Sequence, residues 1–127
     1  MEIKKQAGFL DLVVIDYFQL LTASTKRSTE AAELGDISRN LKISAMELQV
    51  PFLIGSQLSR DNSKTARKPR LDDLRGSGSI EQDADVVIFL HRPDGEHQDS
   101  MEARRILIAA KQRNGWTSEM EGTFDKK

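Results

Sequence analysis

Four groups of residues in this 127-residue chain have the types and spacing to do chemistry. Asp16 follows directly on Leu12-Val13-Val14-Ile15, an apolar run too short for a helix and rich in β-branched side chains. Such a run reads as a strand buried on both faces. In an open parallel sheet, ligands bind at the carboxyl ends of the strands. A carboxylate there suits Mg²⁺, a hard cation that takes oxygen ligands and often bridges to nucleotide phosphates. That is the Walker B reading; an Asp that merely ends a core strand and caps a turn is the commoner one. Ser56-Gln57 follows a second apolar run, Phe52-Leu53-Ile54-Gly55. The Gln57 amide can touch a phosphate oxygen or orient a water, and it can equally cap a turn. Arg75-Gly76-Ser77-Gly78-Ser79 offers a cation and a backbone that approaches ligands closely. Lys111 and Arg113 are alternate residues beside Asn114-Gly115, the strongest short hairpin signal. Two cations at a hairpin tip are either an ordinary solvated face or a finger reaching across an interface to a phosphate.

The elements that must position these groups follow from the pattern between them. Leu34, Ile37, Leu41, Ala45 and Leu48 fall three or four apart, one apolar stripe along a helix that Ser28 can cap and Pro51 ends. Glu30 and Glu33 sit near its positive end. Strand, helix, strand makes a βαβ unit with parallel strands, so Asp16 and Ser56-Gln57 leave the same edge. Leu21 to Ser28 reads as a polar, mobile loop carrying Lys26 and Arg27. Asp61 to Leu71 is a second basic loop, with Lys64, Arg67, Lys68 and Arg70. Ser79 with Gln82 has the form of a capping box, so a short helix starts there, and free amides at such a start are good phosphate contacts. Val86 to Leu90 reads as a third buried strand, ended by His91, which is more often structural than catalytic. Ile106 to Ala110 is a fourth, and about Ser118 to Phe124 returns from the hairpin.

Composition narrows the classes. With 38% hydrophobic and 31% charged residues, the chain is an ordinary globular one of at most one domain. No apolar run approaches membrane-spanning length, and Met1 to Gly8 lacks a signal-peptide core. Zero Cys excludes disulfides and thiolate metal sites and permits a cytosolic address. A net charge of −1 leaves any nucleic-acid contact to local patches.

Four segments, in order, resemble the DnaB-type replicative DNA helicases: Asp16 to Leu20, Ser56 to Arg60, Asp73 to Asp85 and Lys111 to Gly115. The likeness runs from about Leu10 to Phe124, along the second half of that family's RecA-like motor domain. It implies an α/β chain: a partial RecA-like (P-loop NTPase) fold with a mostly parallel sheet, helices and a C-terminal β-hairpin. Residues 1–127 would be a single partial motor domain. ATP and Mg²⁺ would be the cofactors, and the location cytoplasmic. Asp16 would hold Mg²⁺ through water, and Gln57 would sense the γ-phosphate. Arg75, Gly76 and Gly78 would grip the backbone of single-stranded DNA. Lys111 and Arg113 would complete the ATP site of the next subunit in a homo-hexameric ring. The family moves 5′ to 3′ and works with primase and a helicase loader.

Departures from the pattern matter too. Gly76 stands where the family usually has Glu, and Trp116 replaces a common Pro after the Asn-Gly turn. None of the eight glycines is followed by Lys, so the phosphate-loop pattern G-x-x-x-x-G-K-[ST] is not among these residues. The family's catalytic Glu has no counterpart either. The expectation is half a nucleotide site, inactive alone. Two alternatives are a truncated, non-catalytic module that binds single-stranded DNA or a helicase ring, and another RecA-like ATPase such as a recombinase or a KaiC-type clock ATPase. Arg75 to Asp85 speaks against the last.

Overall fold

The computed structural model describes residues 8–23, 29–58, 67–74, 77–93 and 102–125. They belong to two compact units, Met1–Gln57 with Gly78–Asp83, and Leu58–Ser77 with Ala84–Lys127. The charged stretch Glu2 to Gln6, the loop cations Lys26, Arg27 and Lys64, and residues 94–101 lie outside the described residues.

In the first unit, β1 (Val13–Ile15) pairs in parallel with β2 (Phe52–Ile54), Val13 opposite Phe52 and Ile15 opposite Ile54. Between them runs α1 (Glu30–Leu48). Its cap is Thr29, one residue after the expected Ser28: Thr29 is extended, and its hydroxyl accepts from the Ala32 N–H at 3.2 Å. Gln49 closes the helix in the left-handed conformation, and its N–H reaches the Ala45 and Met46 carbonyls. The expected stripe does face inward. Leu34 and Ile37 form the core with Phe18, and Leu41, Ile54 and Ile80 pack against it. Leu21 and Ala23 join them, so the start of the expected polar loop is core instead.

Phe18 lies in a 3₁₀ turn, Phe18–Leu20, which the sequence pattern does not announce. The short helix α2 (Ser77–Asp83) begins two residues before the expected capping Ser79, placing Ser79 inside its first turn. A Cβ on Gly35 would come within 2.7 Å of the Ser79 hydroxyl, so Gly35 lets α2 approach α1. β1 is not buried on both faces: Val14 is 62% exposed, and its register partner Leu53 is 60% exposed.

The second unit holds β3 (Val86–His91), β4 (Glu102–Gln112) and β5 (Ser118–Asp125), in that order and antiparallel throughout. The expected mostly parallel sheet is thus corrected: among the described residues only β1 and β2 pair in parallel. The connection from β3 to β4 is about ten residues, and a parallel crossover needs a dozen or more. β3 alternates rather than being buried throughout. Val87 and Phe89 are in the core, with Val86, Ile88 and Leu90 outward. β4 outruns its apolar run Ile106 to Ala110 by several residues at its start because β5 pairs along it, Ala103 opposite Phe124 and Ala109 opposite Ser118. Its far end reaches Gln112, which pairs with Val86.

Candidate functional site

In the first unit, Asp16 and Ser56-Gln57 leave the same edge of the parallel pair, as strand polarity requires. Asp16 is exposed at the end of β1, and the Asp16–Tyr17 peptide bond is cis. Gly55 straddles this step: its N–H donates to the Ile15 carbonyl at 2.9 Å, and its own carbonyl accepts from the Phe18 N–H at 2.8 Å. A Cβ on Gly55 would stand 3.4 Å from the Asp16 carboxylate, ordinary contact. Asp16 therefore projects from a two-residue departure in an otherwise continuous ladder. Such a carboxylate can hold a hydrated Mg²⁺. Among the described residues no group of three or more His, Cys, Asp or Glu gathers as a metal cluster.

Gln57 is exposed, and its main chain is held by a residue the sequence reading did not single out. Gln19 accepts from the Gln57 N–H at 3.1 Å and donates to the Gln57 carbonyl at 3.2 Å and the Ser56 hydroxyl at 3.1 Å. The sequence signal was slight: a Gln three residues after the strand-ending Asp.

In the second unit, the approach to Arg75 is built on a buried carboxylate. Asp73 takes a bidentate contact from the Arg67 guanidinium, at 2.8 and 2.6 Å, and one from the Arg70 N–H at 2.7 Å. The Arg67 contact holds the Asp73 carboxyl below its ordinary range, Arg70 helps, and burial opposes; Arg67 is raised in turn by the same contact. Leu74 is buried and bridges to Leu58. The basic loop is thus not simply solvated at this end: Arg67 is tied to Asp73, and Lys68 to Glu119 of β5. Arg75 and Gly76 lie outside the described residues. Gly78 is in the first turn of α2, where an added Cβ would meet nothing within 4 Å.

Lys111 is half-buried in β4, while Arg113 lies beyond its end, exposed in the turn. The two are thus not alternate residues of one strand. The turn spans residues 113–117, with the Gly115 N–H reaching the Gln112 carbonyl at 3.4 Å. Neither Asn114 nor Gly115 has the positive φ of a tight two-residue hairpin. Arg113 is anchored twice on Asp85: its N–H donates to the Asp85 carbonyl at 2.8 Å, and its guanidinium pairs with the carboxylate at 3.3 Å.

A strand-end carboxylate and an amide thus stand at one edge of a parallel pair, the edge at which ligands bind in open α/β sheets. Solved structures share the fold. One is a DnaB-like replicative helicase studied with its interactions with primase, with a TM-score of 0.85 and 35% identity over 99% of this chain and 32% of that one. Another is an ATPase domain, with a TM-score of 0.79 and 34% identity over 94% of this chain and 44% of that one. The chain belongs to the DnaB-like helicase C-terminal domain family, whose model matches residues 1–127. The Mycobacterium leprae replicative DNA helicase DnaB is 48% identical over 115 residues, 89% of this chain. The Geobacillus stearothermophilus replicative DNA helicase DnaB is 44% identical over 125 residues, 96% of this chain. The chain spans 19% and 28% of the length of these two relatives. No helix among the described residues is long and apolar enough to cross a membrane.

Proposed function

We propose that this chain supplies the Walker B strand, phosphate sensor, DNA loop and trans-acting finger of an ATP-driven replicative DNA helicase. Asp16 holds Mg²⁺ through water and Gln57 senses the γ-phosphate. Arg75, Gly76 and Gly78 grip the backbone of single-stranded DNA. Lys111 and Arg113 serve the ATP of the neighbouring subunit in a homo-hexamer that moves 5′ to 3′ and meets primase and a loader. Residues 1–127 form one partial motor domain in the cytoplasm. The observation that carries the reading is the shared edge: Asp16 and Gln57 follow two parallel strands paired in register within a helicase-family chain.

What this chain's own residues do at that edge follows from elementary electrostatics. Bound Mg²⁺ would neutralise charge on the β- and γ-phosphates. The Asp16 carboxylate orients the waters of that ion, while the Gln57 amide hydrogen-bonds the phosphate end whose charge changes on hydrolysis. The test is a graft. This chain replaces the stretch it matches in the Geobacillus stearothermophilus helicase. The chimera is expected to assemble, hydrolyse ATP and unwind a forked duplex, and Asp16→Asn to abolish hydrolysis. A chimera that assembles as a ring yet hydrolyses nothing overturns the reading.

A further inference from the structure

At the edge where Asp16 and Gln57 emerge, the main chain of β1 does not continue. It departs at Asp16, returns once at Phe18, whose N–H donates to the Gly55 carbonyl at 2.8 Å, and then curls into the 3₁₀ turn Phe18–Leu20. From that point no β1 main chain is left to pair with Gln57. The side chain of Gln19 stands in its place. Its Oε1 accepts from the Gln57 N–H at 3.1 Å, and its Nε2 donates to the Gln57 carbonyl at 3.2 Å. One primary amide thus presents to Gln57 the acceptor and the donor that a neighbouring strand would present. The second Nε2 hydrogen reaches the Ser56 hydroxyl at 3.1 Å. Only this orientation of the amide matches all three partners, since an N–H must meet an acceptor and a carbonyl a donor.

We infer that Gln19 is a positioning residue that extends the parallel ladder by one residue through its side chain and so aims Gln57. The inference rests on the proposal that Gln57 senses the γ-phosphate. Gln57 is exposed, so the direction of its side chain follows chiefly from its main chain. Gln19, three residues from Asp16 and hydrogen-bonded to Gln57, ties the Mg²⁺ end of the site to the phosphate end. Among side chains only Gln and Asn carry a primary amide, and Asn is shorter by one methylene. Glu keeps the acceptor for the Gln57 N–H and loses both donors.

Two measurements test this. The first is amide hydrogen exchange at Gln57 in the 127-residue chain. Gln19→Ala is expected to speed it by about five- to tenfold, the equivalent of one hydrogen bond. Gln19→Glu is expected to leave it nearly unchanged. The second is steady-state ATP hydrolysis by the grafted helicase. Gln19→Ala and Gln19→Glu are both expected to lower kcat by about tenfold, with KM for ATP within about twofold, because Gln57 acts where charge develops rather than where the nucleotide is gripped. Added to Gln57→Ala, Gln19→Ala is expected to cost nothing further, the signature of one residue acting through another. Unchanged Gln57 exchange in Gln19→Ala, or losses that multiply in the double variant, overturns the inference. If Gln57→Ala itself leaves hydrolysis intact, the sensor reading fails instead, and the exchange measurement still decides whether Gln19 holds the Gln57 main chain.

Discussion

Asp73 is the carboxylate on which the approach to Arg75 depends. Three donors converge on it from Arg67 and Arg70, and its side chain is only 8% exposed. Removing the charge leaves the Arg67 fork and the Arg70 N–H poorly matched, a loss on the order of 1–3 kcal/mol. Asp73→Asn should therefore lower the urea midpoint of the chain at neutral pH. The folded carboxyl is depressed, first by Arg67. Its contribution is thus fully present above the unfolded pKa of about 3.9 and lost as pH falls through the lower folded value. The gap between wild type and Asp73→Asn should close below about pH 4, and parallel pH profiles would show that Asp73 is not the group involved. Beyond Asp73, the sequence Arg75 to Ser79 is rich in Gly and Ser, which meet phosphates through main-chain amides and offer no planar group to read base edges. In the grafted helicase, Arg75→Ala should weaken binding of oligo-dT and of a mixed-sequence strand by the same factor. It should also lower the salt slope by about 0.7, one phosphate contact on a single strand. A loss confined to one sequence, read by fluorescence anisotropy, would move the backbone grip to the basic loop.

At the scale of elements, the 3₁₀ turn Phe18–Leu20 carries more than its length suggests. Its own bonds are few: Leu20 N–H to the Tyr17 carbonyl and Leu21 N–H to the Phe18 carbonyl, each 3.1 Å. Such a turn holds only if something buries it, and Phe18, 3% exposed against Leu34 and Ile37, does so. Phe18→Ala should cost about 3–5 kcal/mol, a large share of a small domain's stability. Thr29→Ala, at the head of α1, should cost about 1 kcal/mol. Urea denaturation followed by circular dichroism separates the two; equal losses would mean that the turn is not packed as described. Periodicity made α1 and the parallel pairing of β1 with β2 legible in the sequence, because an apolar stripe between two short apolar runs reads as a βαβ unit. It did not reveal the 3₁₀ turn, whose cause is a distant partner rather than a local pattern. Nor did it reveal the start of β4, where Arg104 belongs to the strand because β5 pairs along it, Thr123 opposite Arg104. The proposed site residues Asp16 and Gln57 were visible as strand ends, whereas Gln19 and Asp73 act through hydrogen bonds that no spacing rule encodes. The Asn114-Gly115 signal located the hairpin correctly but not its turn geometry, which the pairing of Arg113 with Asp85 accompanies.

At the scale of the whole molecule, function in a ring requires that one chain's parts serve another's. Within the second unit Arg113 is held at Asp85 by its own main chain and by its guanidinium, both side chains about half exposed. The main-chain bond fixes where the turn sits, while an exposed ion pair is worth little and yields readily to a phosphate, which binds a guanidinium more strongly. Arg113 is thus anchored at its root by the main chain, and the exposed ion pair is the weaker of these two ties. In the grafted helicase, Arg113→Ala should leave nucleotide binding nearly intact and lower hydrolysis by about 10³–10⁵, the range for an arginine supplied to a transition state. Asp16→Asn should abolish hydrolysis for a different reason, at the subunit's own nucleotide. Neither variant alone forms a ring with an intact site. In a mixed ring, however, a subunit carrying Arg113→Ala keeps its own Asp16, and its neighbour carrying Asp16→Asn keeps Arg113. Where these two meet in the correct order, the interface has both groups, so mixing the inactive variants should restore part of the ATPase rate. The recovered fraction should vary with the mixing ratio and peak near equal proportions. Mixing that never rescues, with mixed rings confirmed by native mass spectrometry, would show that Arg113 serves its own subunit.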